Sequence, residues 1–359
     1  MKCGIVGLPN VGKSTLFNCL TKLKAPAENY PFCTIQPNIG RLNVPDSRLD
    51  KLSKIFQPEK VTPASMEFVD IAGLIPGAHK GEGLGNRFLS HIREVNTIIH
   101  VVRAFKNDDI VNTQGEVDPL RDIKLIETEL LLADIESLEK KQEKLNKLMK
   151  GSKDRELKIE MSLIEKLLDR LLNKEQMARL YTPEKEEEFF FKNLHLLSAK
   201  KCLYVCNTNE EDLKNNPMVK SIEDTYGANT VLPICAVLEE QMIDLSENEK
   251  KEFLEALDWK EPGLNRLIKK SYTLLNFITF FTAGPKEVRA WDLIKNSKAP
   301  VAAGKIHSDF QKGFICAEVY SVTDIHTTEK ALKESGKYRQ EGKDYIVQDG
   351  DVILFRFNV

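Results

Sequence analysis

Short apolar runs alternate with longer mixed segments along this chain, and the length of each run separates strand from helix. Lys2–Val6, Met66–Asp70 and Leu203–Cys206 are brief runs that stop at a turn-forming residue: Gly7, Asp70 itself and Asn207. Runs of this kind read as strands buried on both faces, as in a mostly parallel sheet. A helix over Thr15–Leu23 follows the first run. From Arg121 to about Leu180 the composition shifts to Leu, Glu and Lys. Apolar residues at Leu131, Ile135, Leu138, Leu145 and Met149 fall at alternating helical spacings, with Gln142 in one slot, and a second seam runs through Leu157, Met161, Ile164, Leu168 and Leu171. Gly151 and Ser152 break the helix between the seams, which predicts an antiparallel coiled-coil hairpin. The strand pattern resumes at Leu203, so the hairpin is an insertion. Tyr181–Lys200 reads as a helix that returns the chain to the sheet. After Asn276, strands are expected at Phe277–Phe281, Phe314–Tyr320 and, after a turn at Asp349, up to Phe357, with one helix near Lys330–Ser335. That pattern suits a small mixed sheet.

Composition narrows the class. A chain of 359 residues with 42% hydrophobic content holds more than one core. A net charge of -2 argues against broad nucleic-acid coating, so DNA is not an expected partner. Seven cysteines without a Cys-x-x-Cys pair fit reduced thiols and imply no zinc site. Cys33 is a candidate redox-sensitive thiol. No run approaches the ~20 apolar residues of a membrane span, so a cytoplasmic protein without a membrane partner is expected. One local charge stands out: Lys140, Lys141, Lys144, Lys147, Lys150, Lys153, Arg155 and Lys158 crowd the hairpin tip. That tip suits RNA phosphates, and equally suits the solvated face of a coiled coil.

The chemistry lies at the first strand's end. Gly7-Leu-Pro-Asn-Val-Gly12-Lys13-Ser14-Thr15 has the spacing of a phosphate loop, in which loop amides at a helix N-terminus solvate a triphosphate. Val11, Gly12 and Thr15 are expected to contact phosphate, Lys13 to reach the β- and γ-phosphates, and Ser14 to ligate Mg²⁺. Asn10 is a candidate K⁺ ligand. Downstream, Asp70 and Gly73 form an Asp-x-x-Gly pair, with Asp70 placed to hold a magnesium-bound water and the Gly73 amide to sense the γ-phosphate. Thr34, in a proline-bracketed loop, is a candidate Mg²⁺ ligand. Leu74 stands where Ras-like GTPases carry the glutamine that orients water. His79 is a candidate to replace that glutamine, or is simply a solvated loop residue.

Base choice rests on Asn207-Thr208-Asn209-Glu210. Guanine-specific loops read Asn-Lys-x-Asp; here Thr208 lacks the lysine stem and Glu210 is one methylene longer than Asp. Losing a bidentate base contact costs roughly 1 to 3 kcal/mol, which is enough to erase guanine preference. ATP is therefore expected over GTP, with adenine held near Asn207, Thr208 and Ala236.

Together, 7–15, NYPFCTIQPNIG, DIAGLIPGAHKGEGLGN, Asn207–Glu210, FFTAGPKEVRAW and the terminal EGKDYIVQDGDVILFRFNV resemble the YchF subfamily of Obg-related translation-factor NTPases. The resemblance spans essentially the whole chain. It implies an α/β P-loop NTPase domain over 1–120 and 191–275, an inserted coiled-coil hairpin over 121–190, and a TGS domain of β-grasp fold over 276–359. It also implies ribosome association and ATP hydrolysis, serving a translation-linked or stress-linked switch. A GTP-specific GTPase and a non-enzymatic nucleotide-gated adaptor are the alternatives.

Overall fold

The computed structural model describes every residue except 24–37, 72–83, 108–115, 152–153, 214, 326–328 and 359. In chain order the elements are β1 (Lys2–Val6), α1 (Lys13–Lys22), β2 (Ile39–Asn43), α2 (Ser47–Phe56), β3 (Lys60–Thr62), β4 (Ser65–Asp70), α3 (Leu84–Glu94), β5 (Thr97–Arg103), α4 (Pro119–Met149) and α5 (Arg155–Asn173). They continue with α6 (Glu188–Asn193), β6 (Lys201–Asn207), α7 (Pro217–Tyr226), β7 (Val231–Ile234), α8 (Ala236–Ile243), α9 (Glu247–Ala256) and α10 (Gly263–Leu274). Last come β8 (Phe277–Ala283), β9 (Glu287–Ile294), α11 (Ala299–Ile306), α12 (Ser308–Lys312), β10 (Phe314–Ser321), α13 (Glu329–Glu334), β11 (Arg339–Glu341) and β12 (Asp351–Phe357). Among the described residues, no helix is long and apolar enough to cross a membrane.

Two compact units result: Met1–Leu23 with Glu67–Gly263, and Arg41–Met66 with Leu264–Val359. The first carries a sheet in the order β2-β4-β1-β5-β6-β7, and β1, β4, β5, β6 and β7 pair in parallel. Every residue of β5 is buried, the pattern of a strand covered on both faces. Helix α4 opens on Asp118, whose carboxylate accepts from Arg121 N at 3.0 Å, and Pro119 takes the first helical position, where no N–H is needed. Asp154 caps α5 in the same way. Leu138 and Leu145 of α4 are buried, as are Met161, Ile164, Leu168 and Leu171 of α5, and Lys141 pairs with Glu160 at 2.5 Å. Leu163 and Leu167 are fully buried too, so the apolar face of α5 is wider than a two-position seam.

One expected helix is not there. Between Tyr181 and Lys200 only the short α6 is helical. Pro183 disfavours helical backbone at Thr182, the Glu187 carboxylate is taken by Tyr181 Oη and Lys166 Nζ, and His195 sits at a left-handed φ of 48°.

The second unit has a sheet ordered β11-β10-β12-β8-β9-β3, with β8/β9, β10/β12 and β10/β11 antiparallel and β12/β8 and β3/β9 parallel. Its core joins Phe280, Leu293, Phe314, Val319, Ile353 and Phe355 to Ala299, Ala302 and Ala303 of α11, whose small side chains let the helix lie close on the sheet. Helices α11 and α12 correct the expectation of a single helix here: Lys298-Ala-Pro300 is a start signal, with Pro in the first turn. Segment 41–66 is the larger surprise. It supplies α2 and the edge strand β3, and its unit boundaries fall inside β2 and β4.

Candidate nucleotide-binding site

Strand β1 lies between β4 and β5, with Ile5 in register with Asp70 on one side and Ile99 on the other. The loop after it is held from beneath by Leu8 and Val11, both buried, while Pro9 and Asn10 are exposed. Gly7 is sterically required, because a Cβ there would stand 2.6 Å from the Val101 carbonyl oxygen. Gly12 is required twice: its φ is 93°, and a Cβ would collide with the Asn207 amide. As the N-cap of α1 it offers no side chain, so no capping oxygen meets the helix's first-turn amides. A helix N-terminus of that kind is an anion seat, and Lys13, Ser14 and Thr15 form its first turn.

Lys13 Nζ pairs with Asp70 Oδ1 at the C-terminal end of β4, and both side chains are largely buried. Asp70 is fixed by its own N–H, which donates to Asn38 O at 2.9 Å, and the next amide, Ile71 N, donates to Ile5 O at 3.1 Å. Among the described residues no three His, Cys, Asp or Glu side chains gather into a metal cage. Among the described residues the Ser14 hydroxyl and the Asp70 carboxylate are the oxygens that could serve a cation. They fit Mg²⁺, which keeps several waters and takes further ligands from phosphate.

Asn207 ends β6 with its side chain buried and doubly engaged. Its Nδ2 donates to Val11 O at 3.1 Å, and its Oδ1 accepts from Ala236 N at 3.1 Å. One amide thus ties the phosphate loop to the head of α8. Thr208 is buried and its N–H donates to Ile234 O at 2.9 Å; Asn209 and Glu210 are exposed beyond it. Cys235, the N-cap of α8, is buried, which raises its thiol pKa. The structure therefore brings Val11, Gly12, Lys13, Asp70, Asn207 and Ala236 together, with Asn10, Ser14 and Thr15 on the same loop and helix and Glu210 on the loop after β6. Thr34, Gly73, Leu74 and His79 lie outside the described residues, as does Cys33.

Sequence reasoning missed what supports β6. Glu127 of α4 accepts from Arg179 Nη2, from Tyr204 Oη at 2.7 Å and from Tyr226 Oη at 3.1 Å. Further along α4, buried Asp134 accepts from the amides of Leu197 and Ser198 at 2.8 and 2.7 Å and from Ser198 Oγ at 2.6 Å. Burial pushes the Asp134 carboxyl up, and those three donors oppose the shift. His100 of β5 packs against Tyr204 and is fully buried; burial and the nearby Arg179 charge push its pKa down to about 3. A carboxylate amid Leu130-Leu-Leu-Ala-Asp134 was the one legible signal, since an acid in an apolar run needs a partner.

Residues 2–150 match the family model described as 50S ribosome-binding GTPase, and residues 277–358 match YchF-GTPase_C, described as a protein of unknown function. The Ribosome-binding ATPase YchF of Haemophilus influenzae is 54% identical over 100% of this chain and 99% of its own length. The chain belongs to the YchF family of Obg-like ATPases. The Obg-like ATPase 1 of Pongo abelii is 46% identical over 100% of this chain and 92% of its own. The solved structure of the Schizosaccharomyces pombe YchF GTPase aligns at a TM-score of 0.88 and 39% identity, covering 99% of this chain and 97% of that one. The family's α/β architecture, with a P-loop domain, a long helical region and a C-terminal β domain, is the one found here.

Proposed function

We propose that this protein is a ribosome-binding, Mg²⁺-dependent P-loop ATPase that hydrolyses ATP slowly as a translation-linked or stress-linked switch. The observation that carries this reading is full-length identity with relatives named ribosome-binding ATPases, joined to a base-reading loop that departs from the guanine pattern at Thr208 and Glu210. The α1 amides and Lys13 hold the triphosphate, and Ser14, with Asp70 acting through water, holds Mg²⁺. When bound, Mg²⁺ neutralises charge on the phosphate oxygens. With a nucleotide bound, Lys13 would exchange its contact with Asp70 for phosphate, and the Asp70 carboxylate would then be available to hold a magnesium-bound water. Catalysis then rests on positioning and electrostatics, since phosphoryl transfer asks little covalent help of the protein.

In this reading the NTPase domain lies within 1–120 and 191–275, the antiparallel coiled-coil hairpin is 121–190, and the β-grasp TGS domain of 276–359 has Arg41–Met66 and the chain from Leu264 onward in its unit. Leu74 in the glutamine position accounts for slow turnover. K⁺ beside Asn10 would supply positive charge that an arginine finger brings elsewhere.

The test is ATP hydrolysis with and without ribosomes, alongside Lys13→Ala. Ribosome-dependent turnover that falls about 100-fold or more in the variant supports an ATPase. If Lys13→Ala abolishes hydrolysis yet preserves nucleotide-dependent ribosome binding and the cellular effect, the protein is an adaptor.

A further inference from the structure

The root of the α4/α5 hairpin carries a polar cluster that the ATPase reading does not use. Glu127 of α4 stands at its centre with 15% of its side chain exposed, and three donors converge on the carboxylate: Arg179 Nη2, Tyr204 Oη at 2.7 Å and Tyr226 Oη at 3.1 Å. Arg179 lies in the single helical turn Ala178–Leu180 that follows α5, and its Nη2 also donates to Tyr204 Oη at 2.8 Å. Both legs of the hairpin thus meet at this carboxylate. The Tyr204 and Tyr226 rings pack 4.4 Å apart between centroids. Burial pushes the pKa of both phenols up, so each keeps the proton that it donates.

The two tyrosines come from the elements that border the loop of Thr208, Asn209 and Glu210. Tyr204 is in β6, three residues before Asn207, and Tyr226 is the last residue of α7, the helix that follows the loop. The head of α7 is tied separately. Asn216 caps it, accepting from Met218 N at 2.9 Å, and its Nδ2 donates to Ala104 O at 2.7 Å, just past β5. Ala104 N in turn donates to Asn207 O at 2.8 Å. A helix of ten residues is about 15 Å long and moves as a rod, so a grip on its tail sets the direction in which its head presents the loop. A carboxylate suits that grip because it offers acceptors only. Gln in its place would turn an NH₂ toward a phenol or the guanidinium.

We infer that Glu127 is a positioning residue for the nucleotide base: through Tyr204 and Tyr226 it holds β6 and α7, and with them the loop of Thr208 to Glu210, in the arrangement that receives the base. The inference rests on the reading of that loop as the base-reading loop. It also makes the hairpin root and the base contact two ends of one network, so a load on the hairpin reaches nucleotide affinity.

Calorimetric titration of the full chain with a non-hydrolysable ATP analogue and with inorganic tripolyphosphate, each with Mg²⁺, tests this, because tripolyphosphate meets the phosphate loop and carries no base. Glu127→Gln and Tyr226→Phe should each weaken the ATP analogue about fivefold or more and tripolyphosphate by less than about twofold. Tyr226→Phe removes one hydroxyl from a half-buried ring, so it carries the test if Glu127→Gln fails to fold. Equal weakening of both ligands, or unchanged affinity for the ATP analogue in either folded variant, overturns the inference and leaves the ATPase reading standing. Wild type that takes tripolyphosphate as tightly as the ATP analogue contradicts the base-reading loop itself and overturns both.

Discussion

At the scale of single residues, the phosphate loop was legible because its chemistry is written in residue types. Gly7 and Gly12 stand where no Cβ fits, and Lys13-Ser14 supplies the charge and the hydroxyl. Asn207 was legible only as part of a motif. Its actual task, tying Val11 to Ala236, depends on neighbours 196 and 29 residues away, and no local pattern records that. Asn207→Ala should leave the buried Val11 carbonyl and Ala236 amide without this partner, at about 1–3 kcal/mol for each group. Affinity for an ATP analogue should fall about tenfold or more by titration, whereas an unchanged affinity would mean the loop holds itself. His100 makes a pH prediction. Its pKa is pushed down to about 3 from 6.5, so the unfolded chain binds a proton that the folded chain refuses. Stability from this group is whole above pH 6.5 and is lost as pH falls toward 3, by up to about 1.4 kcal/mol per pH unit. In denaturant melts the stability of wild type should therefore fall relative to His100→Phe as pH drops from 6.5 to 4, and a constant difference would count against a buried neutral imidazole.

At the scale of elements, periodicity gave the long helices and the core strands, because their burial is continuous along the chain. It failed between Tyr181 and Lys200, where tertiary partners decide: Glu187 serves Tyr181 and Lys166 in place of a helix surface. The root of the α4/α5 hairpin was also hidden, since Glu127 looks like any helical glutamate until Arg179, Tyr204 and Tyr226 converge on it. Removing that carboxylate leaves a largely buried guanidinium uncompensated. Glu127→Ala should cost about 3–5 kcal/mol in chemical denaturation. A loss below about 1 kcal/mol would place the network with exposed ion pairs of little consequence.

At the scale of the whole molecule, the pattern along the chain places one insertion, the hairpin, inside the NTPase domain and makes 276–359 a self-contained end. The second unit instead takes in residues 41–66, which lie in sequence between β1–α1 and β4. That segment carried no pattern strong enough to reveal it: β3 spans three residues, and its pairing partner β9 lies more than 200 positions away. A chain ending at Gly263 should therefore lose the partners of α2 and β3. Limited proteolysis should cut it within 41–66 well before the intact protein, and equal resistance would show that the segment folds on its own. The central claim is that this fold binds and hydrolyses ATP in preference to GTP. Calorimetric titration of the full chain with non-hydrolysable ATP and GTP analogues, in Mg²⁺ and K⁺ buffer, tests it most directly. The account predicts tighter binding of the ATP analogue; tighter binding of the GTP analogue would mean that Glu210 reads guanine as Asp does, and would contradict it.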